Sequence, residues 1–297
     1  MRRNLLAAAV LPALLLSGSG ASGEGAAGEP TRSAPKPDPD QLYEFDGTVL
    51  DDADGPKLCV GGVEESLPPG CFGLALVGWN WNAVEGEERA MGTAWGDYHV
   101  VGTLYGETFT VRDVGPSRLN GGRERDFSTP CPEPEDGWIA PDPGRASDED
   151  FAAGALAAQA RRDYVALWVD YAGDYTPEEL DRRLNEGEPV LQIMNVVVTE
   201  DVAGAEAAIR ETWGGPLCVT HREGHTAAEL AAIREEAERL IQEEFGLRLT
   251  WSSDGDLGLA AEVGVVVDPN GAAQAALDAR YGPGMVKLFP ALTPVTG

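Results

Sequence analysis

The sequence predicts an α+β fold in two domains: a small all-β barrel or sandwich, followed by a ferredoxin-like α+β domain. Three observations support this prediction. The chain has 297 residues, more than one typical domain needs. Short β-rich runs separated by turn residues fill residues 42–114, and a strand-helix-strand pattern occurs twice within residues 146–297.

The first residues have the pattern of a secretory signal peptide. Arg2-Arg3 precede an apolar run from Leu5 to Leu16, and Ser19-Gly20-Ala21 offers small residues for cleavage. The apolar run is too short to span a bilayer. We therefore expect residues 1–21 to be cleaved and the protein to be secreted, with no membrane attachment beyond export. The general and twin-arginine routes both remain open.

Composition divides the rest of the chain. Residues 22–41 mix Gly, Ala, Ser and Pro without an apolar period, which predicts a disordered linker. Residues 115–145 are rich in Pro and acidic residues and predict a connector between the domains. The all-β domain between them has five strand-like runs, and an oligonucleotide/oligosaccharide-binding barrel is one candidate topology. The runs are Leu42–Leu50, Leu58–Val60, Leu74–Trp81, His99–Leu104 and Thr108–Val111.

The duplicated unit in residues 146–297 is an apolar run, an acidic turn, an alanine-rich helix and a second apolar run, which predicts a β-α-β unit with parallel strands. The offset between the copies is constant. Val197-Val198, Trp213-Gly214 and Leu217 recur as Val265-Val266, Tyr281-Gly282 and Met285. Two such units with their helices on one face of a shared mixed sheet make the ferredoxin-like layout. A hairpin is expected between the copies, turning at residues 253–256.

The chain is strongly acidic. It has 50 Asp and Glu against 22 Lys and Arg, a formal net charge of −28. Such a chain repels phosphate backbones and anionic lipid, so nucleic-acid and membrane-surface binding are disfavoured. The charge serves solubility, or it attracts cations or basic partners.

Four cysteines in an exported chain predict two disulfides. Three pairings are possible. Cys59–Cys71 is a short closure within one β-rich segment, which leaves Cys131–Cys218 to tie the connector to the first repeat. A metal cluster would need closer cysteine spacing than this.

The repeat residues carry a resemblance. The runs in question are Tyr164–Asp170, Asn195–Asp201, Val265–Asp268 and Arg280–Val286. They resemble a module in the pro-regions of alpha-lytic-type serine proteases, and the whole chain resembles a group of uncharacterised exported actinobacterial proteins. In those proteases the module assists folding and inhibits the attached enzyme. Because no protease domain follows Gly297 in this sequence, the resemblance implies a folding assistant or inhibitor acting in trans.

Catalytic and metal-binding patterns are weak. His221, Glu223 and His225 could form a weak Zn²⁺ or Cu²⁺ site, but their order fits no zinc-protease motif, and surface-loop histidines are the alternative. His99 lies in a strand-like run and is expected to be structural. We identify no catalytic residue and predict no cofactor.

Aromatic residues are the best candidates for ligand binding. Trp79 and Trp81 are two residues apart, so on a strand they share a face. Trp95 and Tyr105, with Tyr98, lie in neighbouring runs. Exposed, such rings could stack on sugars or on a partner protein; buried, they would pack the core.

These observations favour a secreted, non-enzymatic binding or cell-surface accessory protein, with a protein or polysaccharide partner at the cell surface. The first alternative is a pro-region-like protease inhibitor or folding assistant. The second is a hydrolase that uses carboxylates or a metal. The sequence does not indicate an oligomeric state.

Overall fold

The computed structural model describes residues 40–119, 126–173 and 175–295. The predicted signal peptide, residues 1–21, and nearly all of the predicted linker lie outside them. The first part of the described chain forms six strands, with turns at Ala53-Asp54 and Gly106-Glu107 and a loop through Pro68-Pro69-Gly70. The strands are β1 (Leu42–Asp52), β2 (Gly55–Val63), β3 (Cys71–Val77), β4 (Glu88–Ala90), β5 (Thr93–Tyr105) and β6 (Thr108–Pro116).

The second part alternates helices and strands. Its elements are α1 (Asp148–Gln159), β7 (Tyr164–Tyr171), α2 (Pro177–Glu186), β8 (Gln192–Val198), α3 (Val202–Arg210), β9 (Leu217–His221), α4 (Ala227–Glu243), β10 (Leu249–Ser253), β11 (Ala261–Val265), α5 (Ala272–Tyr281), β12 (Val286–Pro290) and β13 (Thr293–Pro294). Side-chain caps fix several helix starts. At α4, for example, the Thr226 hydroxyl accepts the N–H of Glu229, and the Glu229 carboxylate accepts the N–H of Thr226 at 2.9 Å.

Strands β1 to β6 and β13 form sheet A, in the order β13-β1-β2-β3-β6-β5-β4. β1 also pairs with β5, from Leu42–Thr103 to Asp51–Ala94. Neighbouring strands are antiparallel except β3 and β6, which are parallel over Ala75–Val77. Because β4 and β13 extend it, sheet A is larger than the five or six strands predicted, and it is not a true barrel.

The core of sheet A receives residues from both ends of the described chain. Val266, Val267 and Leu292 lie in one hydrophobic cluster with the buried residues of the sheet. β13 adds to this contact by pairing with β1, where Tyr43 faces Pro294. The two predicted domains therefore share a core.

The two β-α-β units form two separate small sheets. Sheet B has the order β7-β8-β9 and sheet C the order β10-β11-β12. In each, the first pair of strands is antiparallel and the second pair is parallel, with α3 or α5 as the crossover helix. The predicted hairpin between the copies is present as β10 and β11, but Ser253 is still part of β10 and the connection runs over residues 254–260, longer than the predicted turn at residues 253–256. A ferredoxin-like fold needs all these strands in one sheet, so that detail is not confirmed.

The constant offset between the sequence copies is not kept in strand pairing. By this offset, Glu262 is the equivalent of Met194, and Met285 is the equivalent of Leu217. Met194 is paired with Leu217 in sheet B, but Glu262 is paired with Lys287 in sheet C and not with Met285. The two small sheets therefore share strand order and direction without residue-by-residue equivalence.

Each small sheet packs one face on its helices. In sheet B, buried Met194 and Val196 contact α1 and α3 residues such as Ile209. In sheet C, buried Val263 and Val265 contact residues of α4 and α5. The opposite faces of the two sheets differ in burial: that of sheet B is largely buried, whereas that of sheet C carries partly exposed aromatic residues.

Both predicted disulfides are present. Cys59 is bonded to Cys71, with Cα atoms 5.5 Å apart, and Cys131 to Cys218, with Cα atoms 5.8 Å apart. The choice among three pairings is confirmed. Two disulfides indicate an oxidising, extracellular environment. Among the helices that the structure describes, none combines the length and apolarity needed to cross a bilayer.

Candidate functional site

Trp79 and Trp81 form an aromatic cluster with Tyr98. Strand β3 ends at Val77, and Gly78 has φ +87°, which turns the chain before the tryptophans. The prediction that Trp79 and Trp81 share one face of a strand is therefore wrong. The turn still brings them together: the ring centroids of Trp79 lie 5.2 Å from those of Trp81 and 5.1 Å from those of Tyr98.

This aromatic cluster packs against the core of sheet A. Trp79 and Trp81 are half-buried. The Trp81 indole N–H donates to Asp51 at 2.7 Å, and the Arg89 guanidinium lies 5.7 Å from the Trp81 ring centroid. Burial raises the pKa of Tyr98. These contacts hold both tryptophans against the core of sheet A, with part of each side chain exposed.

A cavity of about 350 Å³ lies beside the aromatic cluster. Val84 and Val114 give it apolar walls, and Glu85 and Asp97 give it acidic ones. Its volume is at the low end of small-molecule pockets. The cavity could take a small polar group, although neither Trp79 nor Trp81 lines it.

Trp95 and Tyr105 lie apart from this cluster. Trp95 is half-buried on β5, paired with Leu50 of β1 and Glu88 of β4. Tyr105 ends β5 and is 82% exposed. The four predicted ligand-binding aromatic residues therefore do not form a continuous line on the surface.

The predicted metal ligands are not brought together. In the described part of the chain, no three His, Cys, Asp or Glu side chains form a group that could hold a metal ion. His221 ends β9, and His225 lies 3.8 Å from the Glu229 carboxylate. Glu223 lines a cavity of about 600 Å³ together with Arg162, Asp163, Glu200 and Glu229. Arg162 is paired with Glu200 at 3.2 Å, Arg161 is paired with Asp163, and Glu229 caps α4, so the cavity does not assemble the predicted ligand set.

His99 is buried on strand β5 between carboxylates of β1. It is 4% exposed, and its Nδ1 lies 2.8 Å from Asp46 Oδ2. Its Nε2 lies 3.8 Å from a carboxylate oxygen of Glu44. The strand-like run predicted the burial, but the carboxylate partners on β1 depend on the pairing of β1 with β5 and were not predicted.

An exposed aromatic pair lies on sheet C, on the face opposite its helices. Trp251 of β10 and Phe289 of β12 are both paired with Gly264 of β11, so the three residues form one row across the sheet. The ring centroids are 5.3 Å apart, with 36° between the ring planes. Trp251 is 37% exposed and Phe289 41%. We call this pair over Gly264 the aromatic platform.

Gly264 makes the aromatic platform possible. A Cβ atom at this position would lie 2.3 Å from Trp251 Nε1, because the indole ring lies directly over the glycine. Without a side chain there, nothing rises between the two rings. An isolated glycine within a strand often marks such a close approach.

A polar row follows the aromatic platform on the same face. Ser253 is paired with Glu262, and Glu262 is paired with Lys287. These residues are two positions along each strand from the platform residues, which places them about 7 Å away on the same face. Within the described residues, neither Glu262 nor Lys287 has an ion pair. The row offers a hydroxyl, a carboxylate and an ammonium group.

No protein-family model, curated protein or solved structure matches the chain. We therefore infer the function from the geometry of the described residues. The aromatic platform was not predicted from the sequence. Gly264 within an apolar strand was a sign that another group lies close to this position, but it did not identify that group as Trp251 or place Phe289 beside it.

Proposed function

We propose that the protein is an exported, non-enzymatic binding protein that attaches to a cell-surface ligand through the aromatic platform. One observation carries the proposal: Trp251 and Phe289 are in contact and partly exposed on the face of sheet C that is opposite its helices, although a bulge precedes Trp251 on β10. Most apolar side chains of the described strands are packed in cores instead. Large aromatic rings that stay exposed together are typical of binding surfaces.

The surroundings of the aromatic platform support binding rather than a chemical step. The paired strands of sheet C place two rings and a row of hydrogen-bonding groups on one face, which is an arrangement that recognition needs. The signal-like residues 1–21 and the two disulfides support export. Residues 22–41 would then act as a spacer between the folded part and its point of origin.

The test is co-sedimentation of the secreted full-length protein with isolated bacterial cell envelopes. Wild type is expected to sediment, and Trp251→Ala is expected to stay in the supernatant because the larger ring of the platform is gone. Tyr105→Ala is the matched control, since it removes an aromatic ring that is 82% exposed on sheet A. Equal sedimentation of wild type and Trp251→Ala, or none by either, would contradict the proposal.

A further inference from the structure

We infer that the ligand of the aromatic platform is an uncharged polysaccharide; this rests on the proposed function above. The platform is an apolar surface of two rings in contact, with centroids 5.3 Å apart and planes inclined by 36°, and Gly264 leaves no side chain between them. A pyranose ring has a flat face made of C–H groups. That face stacks on an aromatic ring and covers apolar area on both partners.

The polar row offers hydrogen-bonding partners for the hydroxyl groups of a sugar. The edge of a pyranose carries hydroxyl groups, each a donor and an acceptor. Lys287 supplies donors, Glu262 supplies acceptors, and the Ser253 hydroxyl can do both. Since neither charged group has an ion pair within the described residues, both are available for such hydrogen bonds.

Charge selects against other ligands. The chain carries a formal net charge of −28, so a polyanion such as an acidic polysaccharide is repelled at long range. At the site itself, one carboxylate and one ammonium group balance, so a polycation gains little there. A peptide adding as a β-strand would need a free strand edge, whereas the aromatic platform is the face of a sheet. An uncharged polymer with a C–H face and a hydroxyl edge fits best.

Gly264 acts as a positioning residue. A methyl group there would collide with Trp251 Nε1 and with the Thr250 hydroxyl, from which an added Cβ would be 2.4 Å away. Gly264→Ala therefore keeps both aromatic residues but forces Trp251 out of its place over β11. Ligand binding should fall even though no stacking ring has been removed.

The experiment is affinity electrophoresis of the full-length protein through gels that contain one polysaccharide at a time. The probes are a neutral glucan, a neutral mannan, a neutral xylan and the anionic polygalacturonate. At least one neutral polymer is expected to retard wild type, and Trp251→Ala should weaken that retardation by about tenfold. Gly264→Ala should weaken it in the same direction, Trp251→Phe should restore part of it, and Tyr105→Ala should behave as wild type.

Each outcome decides between the proposals. Retardation by neutral polymers that Trp251→Ala does not weaken would overturn the inference, as would retardation by polygalacturonate alone. If Trp251→Ala loses envelope sedimentation while no neutral polymer retards wild type, the binding function stands and the ligand assignment fails. If neither measurement depends on Trp251, both fail. Thermal unfolding of each variant confirms that it is folded, and partial rescue by Trp251→Phe separates loss of the ring from misfolding.

Discussion

Sheets B and C have the same strand order and directions, yet they differ in the burial of their second face, the face turned away from the helices. In sheet B that face is buried: Val165 and Val197 are each 4% exposed, and Asn195 is fully buried. In sheet C the equivalent face carries Trp251 and Phe289 in solvent. A shared topology therefore fixes where strands run, while the residues of the second face decide whether it becomes interior or binding surface.

The connector, together with residues 256–258 near Val165, covers much of the second face of sheet B. The Cys131–Cys218 disulfide fastens the connector to β9. Nearby, the Trp168 indole N–H donates to the Phe127 carbonyl at 2.8 Å, and Thr129 donates to Asp170. Sheet C has no disulfide-bonded connector across this face among the described residues. It meets sheet A at Val266, which enters the core of sheet A, and at Thr250, which lies against Gly61 of β2.

Removal of the disulfide that joins the connector to sheet B should have the largest effect on the free energy of unfolding. The Cys131→Ser, Cys218→Ser double variant is expected to lose about 4 kcal/mol of unfolding free energy, because a long loop, with a sequence separation of 87, is no longer closed. Equilibrium denaturation measures this loss. The matched control, Cys59→Ser with Cys71→Ser, opens a separation of only 12 and should lose less. A larger loss in the control would mean that the connector does not hold sheet B.

Truncation of a core ring on the helix side of sheet B should come next. Trp213 is 2% exposed, packs edge-to-face on Phe151 with ring centroids 5.2 Å apart, and donates its indole N–H to the Pro216 carbonyl. Trp213→Ala is expected to cost about 3–4 kcal/mol by leaving a cavity and an unpaired carbonyl. Urea denaturation tests this value, and a cost near zero would show that the site collapses freely.

The pH dependence of stability should include a contribution from sheet B. Asp163 is 3% exposed, and its hydrogen bonds with the Arg161 guanidinium hold the pKa of its carboxyl below the ordinary 3.8. A lowered folded-state pKa adds stability above the unfolded value, and this stability is lost as the pH falls through the folded value. Asp163→Asn should therefore cost about 2 kcal/mol at pH 7 and progressively less below about pH 4. Parallel denaturation curves at pH 7 and pH 3 measure the change, and a constant difference would refute it.

The smallest stability effects are expected on the open face of sheet C and on Tyr105. Trp251→Ala should cost about 1 kcal/mol, since the ring is partly in solvent, and Tyr105→Ala less than about 0.5 kcal/mol. Thermal unfolding of the two variants provides the measurement. If Trp251→Ala cost as much as Trp213→Ala, the aromatic platform would be a core and the contrast between the two sheets would disappear.

Features that depend on residues close in sequence could be predicted, whereas the pairing of strands distant in sequence could not. The two disulfides and the hairpin between β10 and β11 followed from spacing and turn residues. The separation of sheets B and C did not follow, because strand partners are chosen by packing across the whole chain. The constant sequence offset was misleading for the same reason: it aligned Glu262 with Met194, whose pairings differ.

The candidate site shows the same limit. Trp79 and Trp81 are close in sequence, but a turn at Gly78 takes them off strand β3 and packs them, half-buried, against the core of sheet A. Trp251 and Phe289 are far apart in sequence and meet only through the register of three strands. A single sequence contains no local pattern that reports such a meeting.

The pairing of β13 with β1 brings the two ends of the described chain to one corner, where the Val295 N–H donates to the Leu42 carbonyl at 2.8 Å. A tether joined before β1 and a fusion added after β13 would therefore leave from neighbouring points. A force applied between these two points would break the few hydrogen bonds between β1 and β13 one after another. This pair of strands would separate first, before the force acted on the part of the protein that the disulfides connect.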